Sequence, residues 1–230
     1  MLVGQYPYHL SNTYIGSLAQ EHRLNITSNN LANVNTPGFK KDVPVFDGYL
    51  VAATKTYFAH GSFQQTKAKL DLALSGPGFF QVETPNGVRY TRNGSFNLNA
   101  EGQIVTKEGY PVVGAGAIPA NAKEVTITED GRVLVDGGQA GQIDLVEFED
   151  PNVLAKAGNN LFVPKVEGLA GGPANNTTVN QGYLETSNVD PVMESVNMID
   201  TMRTYEVFQA VIQSFQEADQ KSINEVGRMV

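Results

Sequence analysis

The chain has 230 residues, with 24 acidic against 16 basic side chains and a formal net charge of -8. This length allows one or two domains with a substantial core. The acidic balance argues against a nucleic-acid binder, which usually carries a basic surface. The absence of cysteine excludes disulfides, thiolate metal sites and cysteine nucleophiles.

The start of the chain shows no secretory signal pattern, because the first Lys or Arg is Arg23 and no compact apolar run precedes a cleavage site. No run reaches the roughly 18 apolar residues of a membrane helix. Taken alone, these features predict a cytoplasmic protein, and they leave open export by a route that reads no cleavable signal.

The first predicted element is a helix over about residues 9–34, in which apolar residues recur at roughly helical spacing. The pattern is weak, since Asn25, Asn29, Asn30 and Asn33 are poor helix formers. Such a helix should be marginal alone and should need a partner. Two interpretations stay open: an interface that hydrogen-bonds between neighbouring helices, or an amphipathic helix on its own domain's surface.

A helix stop and a turn follow at Pro37 and Gly38, because the residue before a proline avoids the helical region and glycine allows a turn. Residues 39–65 contain Pro44, Gly48 and Gly61 among β-branched and aromatic residues. We interpret them as an extended connector with little regular structure.

The middle of the chain, about residues 66–183, is predicted to be a β-meander. Alternating segments are separated by the turn signals Thr84 to Gly87 and Asn93-Gly94, and Asn-Gly between alternating strands is the strongest short-range hairpin signal. Strands are predicted at residues 79–83, 88–92, 95–99, 103–107, 110–113, 125–127, 133–135 and 143–148. Residues 168–176 are predicted to form a loop.

The last predicted element is a long helix over about residues 190–229, with Asp190 as N-cap and Pro191 at the first helical position. About forty residues would span roughly 60 Å, which is longer than a β domain of this size needs. We expect it to pack against other long helices. The alternative is a helix broken in two, with one half folded back on the β domain.

The sequence offers little catalytic chemistry. The histidines His9, His22 and His60 lie far apart and are interpreted as surface or interface residues. No common catalytic, phosphate-binding or calcium-binding motif is present, and residues 76–78 (GPG) precede a strand and predict a tight turn. A glycosidase-like carboxylate pair is formally possible. No catalytic, cofactor-binding or metal residue is predicted.

Three stretches resemble one family. Residues 29–40 (NNLANVNTPGFK) resemble the N-terminal motif of bacterial flagellar rod and hook proteins. Residues 70–80 (LDLALSGPGFF) with 90–94 (YTRNG) resemble the central motif of the rod members, and residues 181–189 (QGYLETSNV) resemble the C-terminal motif. The short span of residues 39–61, with residues 110–114 and 143–148, is most similar to the proximal rod branch.

This resemblance implies a structural subunit, not an enzyme, of the axial filament that links motor to hook. The expected fold is α+β, with the N- and C-terminal helices packed as a coiled coil around an export channel and a central all-β domain of antiparallel hairpins outside. The expected partners are other rod subunits, the basal-body rings and the flagellar export apparatus, with no nucleic acid, small-molecule substrate or cofactor. The expected location is the periplasmic section of the basal body, after type III export without a cleaved signal.

The predicted domains are residues 1–35 (N-terminal helix), 36–65 (connector), 66–185 (β domain) and 186–230 (C-terminal helix). Pro37 and Gly38 are predicted hinge residues. The predicted assembly-interface residues are Leu18, Asn29, Asn30, Leu31, Asn33, Val192, Val196, Ile199, Met202, Arg203, Phe208, Ile212 and Phe215. The alternatives are a distal rod or hook-type subunit or, from another class, an extracellular β-rich binding module or hydrolase.

Overall fold

A computed structural model describes residues 6–47 and 50–226. Helix α1 (Tyr6–Ala32) opens the chain and helix α2 (Pro191–Val226) closes it. Between them lie strands β1 (Asp42–Asp47), β2 (Leu50–Thr56), β3 (Phe63–Gln65), β4 (Leu72–Ser75), β5 (Phe79–Thr84), β6 (Gly87–Thr91), β7 (Asn97–Leu98), β8 (Ile104–Val105), β9 (Val125–Ile127), β10 (Arg132–Val135), β11 (Gly138–Gln142), β12 (Leu145–Glu147), β13 (Leu154–Lys156), β14 (Leu161–Pro164), β15 (Gly172–Pro173), β16 (Thr178–Gln181) and β17 (Tyr183–Glu185). A short 3-10 helix spans Pro151–Val153. The α+β class is confirmed.

The chain divides into two compact units. The helical unit comprises the described parts of Met1–Ala32, Asp42–Lys55 and Asp190–Val230, and it therefore holds α1, α2 and the β1–β2 hairpin. The β unit comprises Asn33–Lys41 and Thr56–Val189.

Helix α2 is continuous for 36 residues, which excludes the broken-helix alternative within the described part of the chain. Its N-cap is the predicted one, because the Asp190 carboxylate accepts hydrogen bonds from the backbone N–H groups of Val192 (2.9 Å) and Met193 (3.0 Å). Inside the helical unit α2 packs against α1. A side chain added at Gly16 would lie 2.6 Å from the Phe208 ring, and Gln209 donates a hydrogen bond of 3.0 Å to Ser17 Oγ.

The β unit is built on a six-stranded antiparallel sheet in the order β13-β14-β6-β5-β12-β15. Successive strand residues point to opposite faces. In β5, Phe79 therefore joins one aromatic cluster, with Phe148 and Phe162, while Phe80 joins the larger core on the other face. Both faces of the sheet are thus covered by the chain itself.

The β9–β10 pair across Asp130-Gly131 and the β5–β6 hairpin across Pro85-Asn86 are confirmed. The hairpin predicted at Asn93-Gly94 is wrong. Strand β6 pairs with β5 and β14, and β7 pairs with β8. Gly94 is needed for another reason, because a Cβ there would overlap the Leu72 carbonyl oxygen, whose chain runs directly alongside.

The expectation of little regular structure in residues 39–65 is also wrong. This stretch holds the β1–β2 hairpin and β3, which pairs with β17 over a hundred residues later. Residues such as Val43, Val45 and Thr54 favour strands, and Pro44 is tolerated in a two-stranded sheet because every strand there is an edge. Residues 110–113 form isolated bridges rather than a strand.

Candidate functional site

The β unit buries an ionic junction formed by Lys40, Arg92 and Glu185. One residue comes from each stretch that carried the family resemblance: Lys40 ends the first, Arg92 follows β6 in the second, and Glu185 ends β17 in the third. Lys40 Nζ lies 2.5 Å from Glu185 Oε1, and Arg92 Nη1 lies 3.7 Å from Glu185 Oε2. The side chains of Lys40 and Glu185 are fully buried. We call this cluster the junction.

The Glu185 carboxylate is the centre of the junction. Its Oε1 accepts from Lys40 Nζ and from the backbone N–H of Gly61 at 3.0 Å, and His60 Nδ1 lies 3.3 Å away. A buried carboxylate is tolerated when it is paired and hydrogen-bonded. Gly61 has no room for a side chain, because a Cβ would overlap the Thr186 carbonyl oxygen. The carboxylate is therefore held from three directions.

The two cations of the junction also bind backbone oxygens. Lys40 Nζ donates to the Ala59 carbonyl at 2.9 Å. Arg92 Nη2 donates to the Gly76 carbonyl at 2.6 Å, and the guanidinium lies over the Phe79 ring, 5.0 Å from its centroid. Carbonyl dipoles and the face of an aromatic ring both favour a cation. The junction thus holds two positive groups around one negative group.

Burial sets the direction of the pKa shifts in the junction. It lowers the pKa of Lys40 below 10.5, opposed by the charge of Glu185. It lowers the pKa of Arg92 to about 10, again opposed by Glu185. Burial also lowers the pKa of the half-exposed His60, and repulsion from Arg92 adds to this shift.

Hydrogen bonds from backbone N–H groups join the two chain segments that carry Lys40 and Glu185. The Gly38 N–H donates to the Glu185 carbonyl at 2.7 Å, and the Lys41 N–H donates to Asn188 Oδ1 at 2.8 Å. Asn188 Nδ2 donates in turn to the carbonyls of Tyr57 and Ala59. Residues 38–41 and 185–188 therefore lie side by side, and we call this pairing the clamp.

Of the two predicted hinge residues, Gly38 lies in the clamp and Pro37 directly precedes it. Gly38 has a φ of +67°, a conformation that favours glycine, and a Cβ there would overlap the Arg92 carbonyl. The Pro37 carbonyl accepts a hydrogen bond of 2.8 Å from Asn160 Nδ2. The structure shows close packing at both residues, and their role as a hinge stays a prediction.

The predicted interface residues of α2 lie on two sides of the helix. Phe208, Ile212 and Phe215 are partly buried. The others are exposed: Val192, Val196, Ile199, Met202 and Arg203. Ile199 and Phe208 are nine residues apart, which is about two and a half turns and places them on opposite sides. Because Phe208 meets α1 at Gly16, the exposed apolar row lies on the side of α2 that faces away from α1.

The predicted interface residues in α1 and directly after it have different environments. Leu18 and Asn29 are exposed, and Leu31 and Asn33 are partly buried. Asn30 is buried within the helical unit. Its Nδ2 donates to the Asp42 carbonyl at 2.8 Å, and its Oδ1 accepts from the Asp42 N–H at 2.9 Å. All of these assembly assignments stay predictions.

The junction was missed by the sequence analysis. Lys40, Arg92 and Glu185 lie inside the quoted stretches, but only their order along the chain was used. His60 was interpreted as a surface or interface residue, and the structure places it against Glu185. The available signal was charge, because Lys40, Arg92 and Glu185 are three of only four charged residues in these stretches, the fourth being Asp71.

The described residues offer no other chemistry. Residues 6–47 and 50–226 contain no group of three or more His, Asp or Glu side chains arranged to hold a metal ion. Neither helix, in its described part, is long and apolar enough to cross a membrane. Two open clefts in the β unit, of about 540 and 590 Å³, are both lined by Pro173 and Asn175.

Three family profiles match the chain in order. They are described as flagella basal body rod protein (residues 17–40), flagellar hook protein FlgE/F/G D1 domain (residues 73–135) and flagellar basal body rod FlgEFG protein C-terminal (residues 180–225). Each match contains one residue of the junction, namely Lys40, Arg92 and Glu185 respectively. The junction therefore brings together one residue from each of the three matched regions.

Named relatives match over most of their length. The flagellar basal-body rod protein FlgG of Buchnera aphidicola subsp. Schizaphis graminum is 36% identical over 82% of this chain and 88% of the relative. FlgG of Agrobacterium fabrum is 32% identical over 88% and 93%. FlgF of Caulobacter vibrioides is 33% identical over 94% and 98%. The chain belongs to the flagellar rod and hook (FlgE/F/G) family, as a structural subunit of the bacterial flagellar basal-body rod and not an enzyme.

Proposed function

We propose that the subunit polymerises through its terminal helices, which pack with those of neighbouring subunits as a coiled-coil inner layer around the export channel, with the β unit outside. The observation that carries this proposal is the exposed apolar row on α2. Val192 is 73% exposed and Ile199 is 51% exposed. Contiguous exposed apolar surface marks an interaction site, and this row faces away from α1.

Helix α1 also has exposed apolar side chains, namely Tyr14 and Leu18. A helix with apolar residues on two sides can bury one side within its own chain and the other against a partner. One apolar side of α2 is thus already packed against α1 inside the subunit. Neighbouring subunits would cover the other.

The position within the rod belongs to the same proposal. The short span of residues 39–61 and the near-complete alignment to the Caulobacter vibrioides FlgF support a proximal rod subunit, in the periplasmic section of the basal body. Its partners would be other rod subunits, the surrounding rings and the type III export apparatus. A distal rod or hook-type position is the alternative.

The apolar row can be tested by one charge. Ile199→Asp places a carboxylate in the row, and burying it unpaired in an interface is strongly unfavourable. We expect the variant to stay folded by circular dichroism but to lose incorporation into rods and to fail in restoring motility to cells lacking the wild-type protein. Thr204→Asp adds the same charge at an exposed position of α2 outside the row and should assemble normally. Normal assembly of Ile199→Asp would refute the proposal.

A further inference from the structure

We propose that the junction couples folding of the β unit to pairing of the two helices inside one subunit, so that α1 and α2 meet efficiently only when the β unit is folded. The proposal deepens the proposed function, because a paired α1–α2 is the form that would polymerise. It concerns the isolated subunit, however, and can be tested without assembly.

The three residues of the junction come from distant parts of the chain. Lys40 and Glu185 are 145 positions apart, and Arg92 lies between them beside the end of β6. A contact of such separation carries the entropy cost of closing a long loop, so other contacts of the folded β unit must offset that cost. Arg92 is held by the carbonyls of Leu74 and Gly76, at the end of β4. The junction can therefore assemble only on a folded sheet.

The charges of Lys40 and Glu185 make their pairing selective. Apolar side chains of similar size stabilise a buried site as well as an ion pair does, so burial of an ion pair is weak evidence for a stabilising role. A buried charge does penalise every arrangement in which its partner is absent. Lys40 and Glu185 have no exposed surface. Their pairing thus selects one arrangement of the two segments over others.

The clamp lies close in sequence to both helices. The clamp holds residues 38–41 against 185–188. Only residues 33–37 separate it from the end of α1, and only Val189 and Asp190 separate it from the start of α2. Short tethers raise the effective concentration of two linked partners. Once the clamp has formed, helix pairing becomes a local event; without it, the helices are joined only through about 150 residues of chain.

The experiment uses the lack of native cysteine. Ser17→Cys and Gln209→Cys replace two residues that touch across the helix pair, and a short bifunctional thiol reagent then reports pairing in the full-length monomer. In this background Lys40→Met with Glu185→Gln removes the ion pair at unchanged net charge and keeps a side-chain oxygen for the Gly61 N–H. Asp130→Asn with Arg132→Gln removes an exposed ion pair of 2.7 Å and is the matched control.

We expect the junction variant to keep a cooperatively folded β unit, measured by hydrogen-exchange protection of strands β5 and β6, while cross-linking slows by about five- to tenfold, the range of a modest coupling between sites. The control should cross-link at the wild-type rate. Unchanged cross-linking in the junction variant would overturn the proposal. If that variant does not fold, Glu185→Asp provides the test, because it keeps the negative charge but moves the carboxylate away from Lys40. Slower cross-linking with a folded β unit would support the coupling. An unchanged cross-linking rate would refute it.

The two proposals fail separately. Cross-linking is read on monomers, and Ile199 lies on the side of α2 away from α1. Normal assembly of Ile199→Asp would refute the proposed function and leave the cross-linking result intact. A wild-type cross-linking rate in the junction variants would refute the coupling and leave polymerisation through the helices intact.

Discussion

At the scale of residues, Glu185 determines how the centre of the β unit is organised. Its carboxylate meets Lys40 and His60, and its backbone carbonyl accepts from Gly38. One residue thus fixes both a side-chain cluster and a backbone pairing. Removing a single member of a buried ion pair leaves the other charge uncompensated, so the members of the junction are expected to tolerate joint replacement better than single replacement.

His60 makes the stability of the β unit sensitive to pH. Its pKa in the folded chain lies below the ordinary 6.5, because burial and the positive charge of Arg92 disfavour the protonated ring; Lys40 acts in the same direction, and Glu185 acts against both. The unfolded chain therefore takes up the proton more readily than the folded chain. The contribution of neutral His60 to stability is complete above about pH 6.5 and declines as the pH falls below that value. We expect the urea midpoint to fall more between about pH 7.5 and 5.5 in the wild type than in His60→Gln.

The control for this measurement is His22→Gln, which changes an exposed histidine of α1 and should keep the wild-type pH dependence. Parallel pH profiles of the wild type and His60→Gln would show that His60 does not contribute.

At the scale of elements, predictability follows the range of the interactions. Helix α2 could be predicted, because its period, its Asp190 cap and its Pro191 are all local signals. Asn93-Gly94 carries the same kind of local signal but reflects the close approach of Leu72, from another strand. Strands β3 and β16 are short and pair with segments more than a hundred residues away, so no local pattern could reveal them. The junction was hidden for the same reason.

The α1–α2 contact depends on a missing side chain at Gly16. In Gly16→Leu the new atoms would meet the Phe208 ring, and overpacking of about 1–3 kcal/mol outweighs or matches the gain of about 1 kcal/mol from removing a helical glycine. We expect lower helicity by circular dichroism and earlier urea unfolding of the helical signal. Ser28→Leu, at an exposed position of the same helix, should do neither. Unchanged helicity in Gly16→Leu would mean that Phe208 can move aside at no cost.

At the scale of the whole molecule, the boundary between the units does not coincide with the ends of the helices. Residues 33–41 follow α1 in sequence but belong to the β unit. Gly38 donates a hydrogen bond to the Glu185 carbonyl, and Lys40 forms an ion pair with the Glu185 carboxylate. The segment that carries the most recognisable family motif therefore serves two parts of the chain. Its first residues end a helix, and its last residues complete the junction.

Truncation tests this assignment. A chain of residues 33–189 retains the clamp and the junction, and we expect it to unfold cooperatively while failing to assemble. A chain of residues 42–189 lacks Lys40 and Gly38 and should have a lower free energy of unfolding, because the buried Glu185 carboxylate loses its nearest cation and keeps only Arg92 at 3.7 Å and His60 at 3.3 Å. The loss should be below the roughly 3–5 kcal/mol of a buried charge left fully unpaired. Urea denaturation followed by tyrosine fluorescence compares the two. Equal stabilities would show that residues 33–41 add nothing to the β unit.

The side-chain amide of Asn30 has a further consequence for the helical unit. It occupies both the N–H and the carbonyl of Asp42, the first residue of β1, as a neighbouring strand would. Unpaired strand edges are templates for aggregation, and native proteins protect them. Asn30 therefore protects the first residue of β1, because a foreign strand could not pair with the backbone of Asp42 while this side chain occupies it.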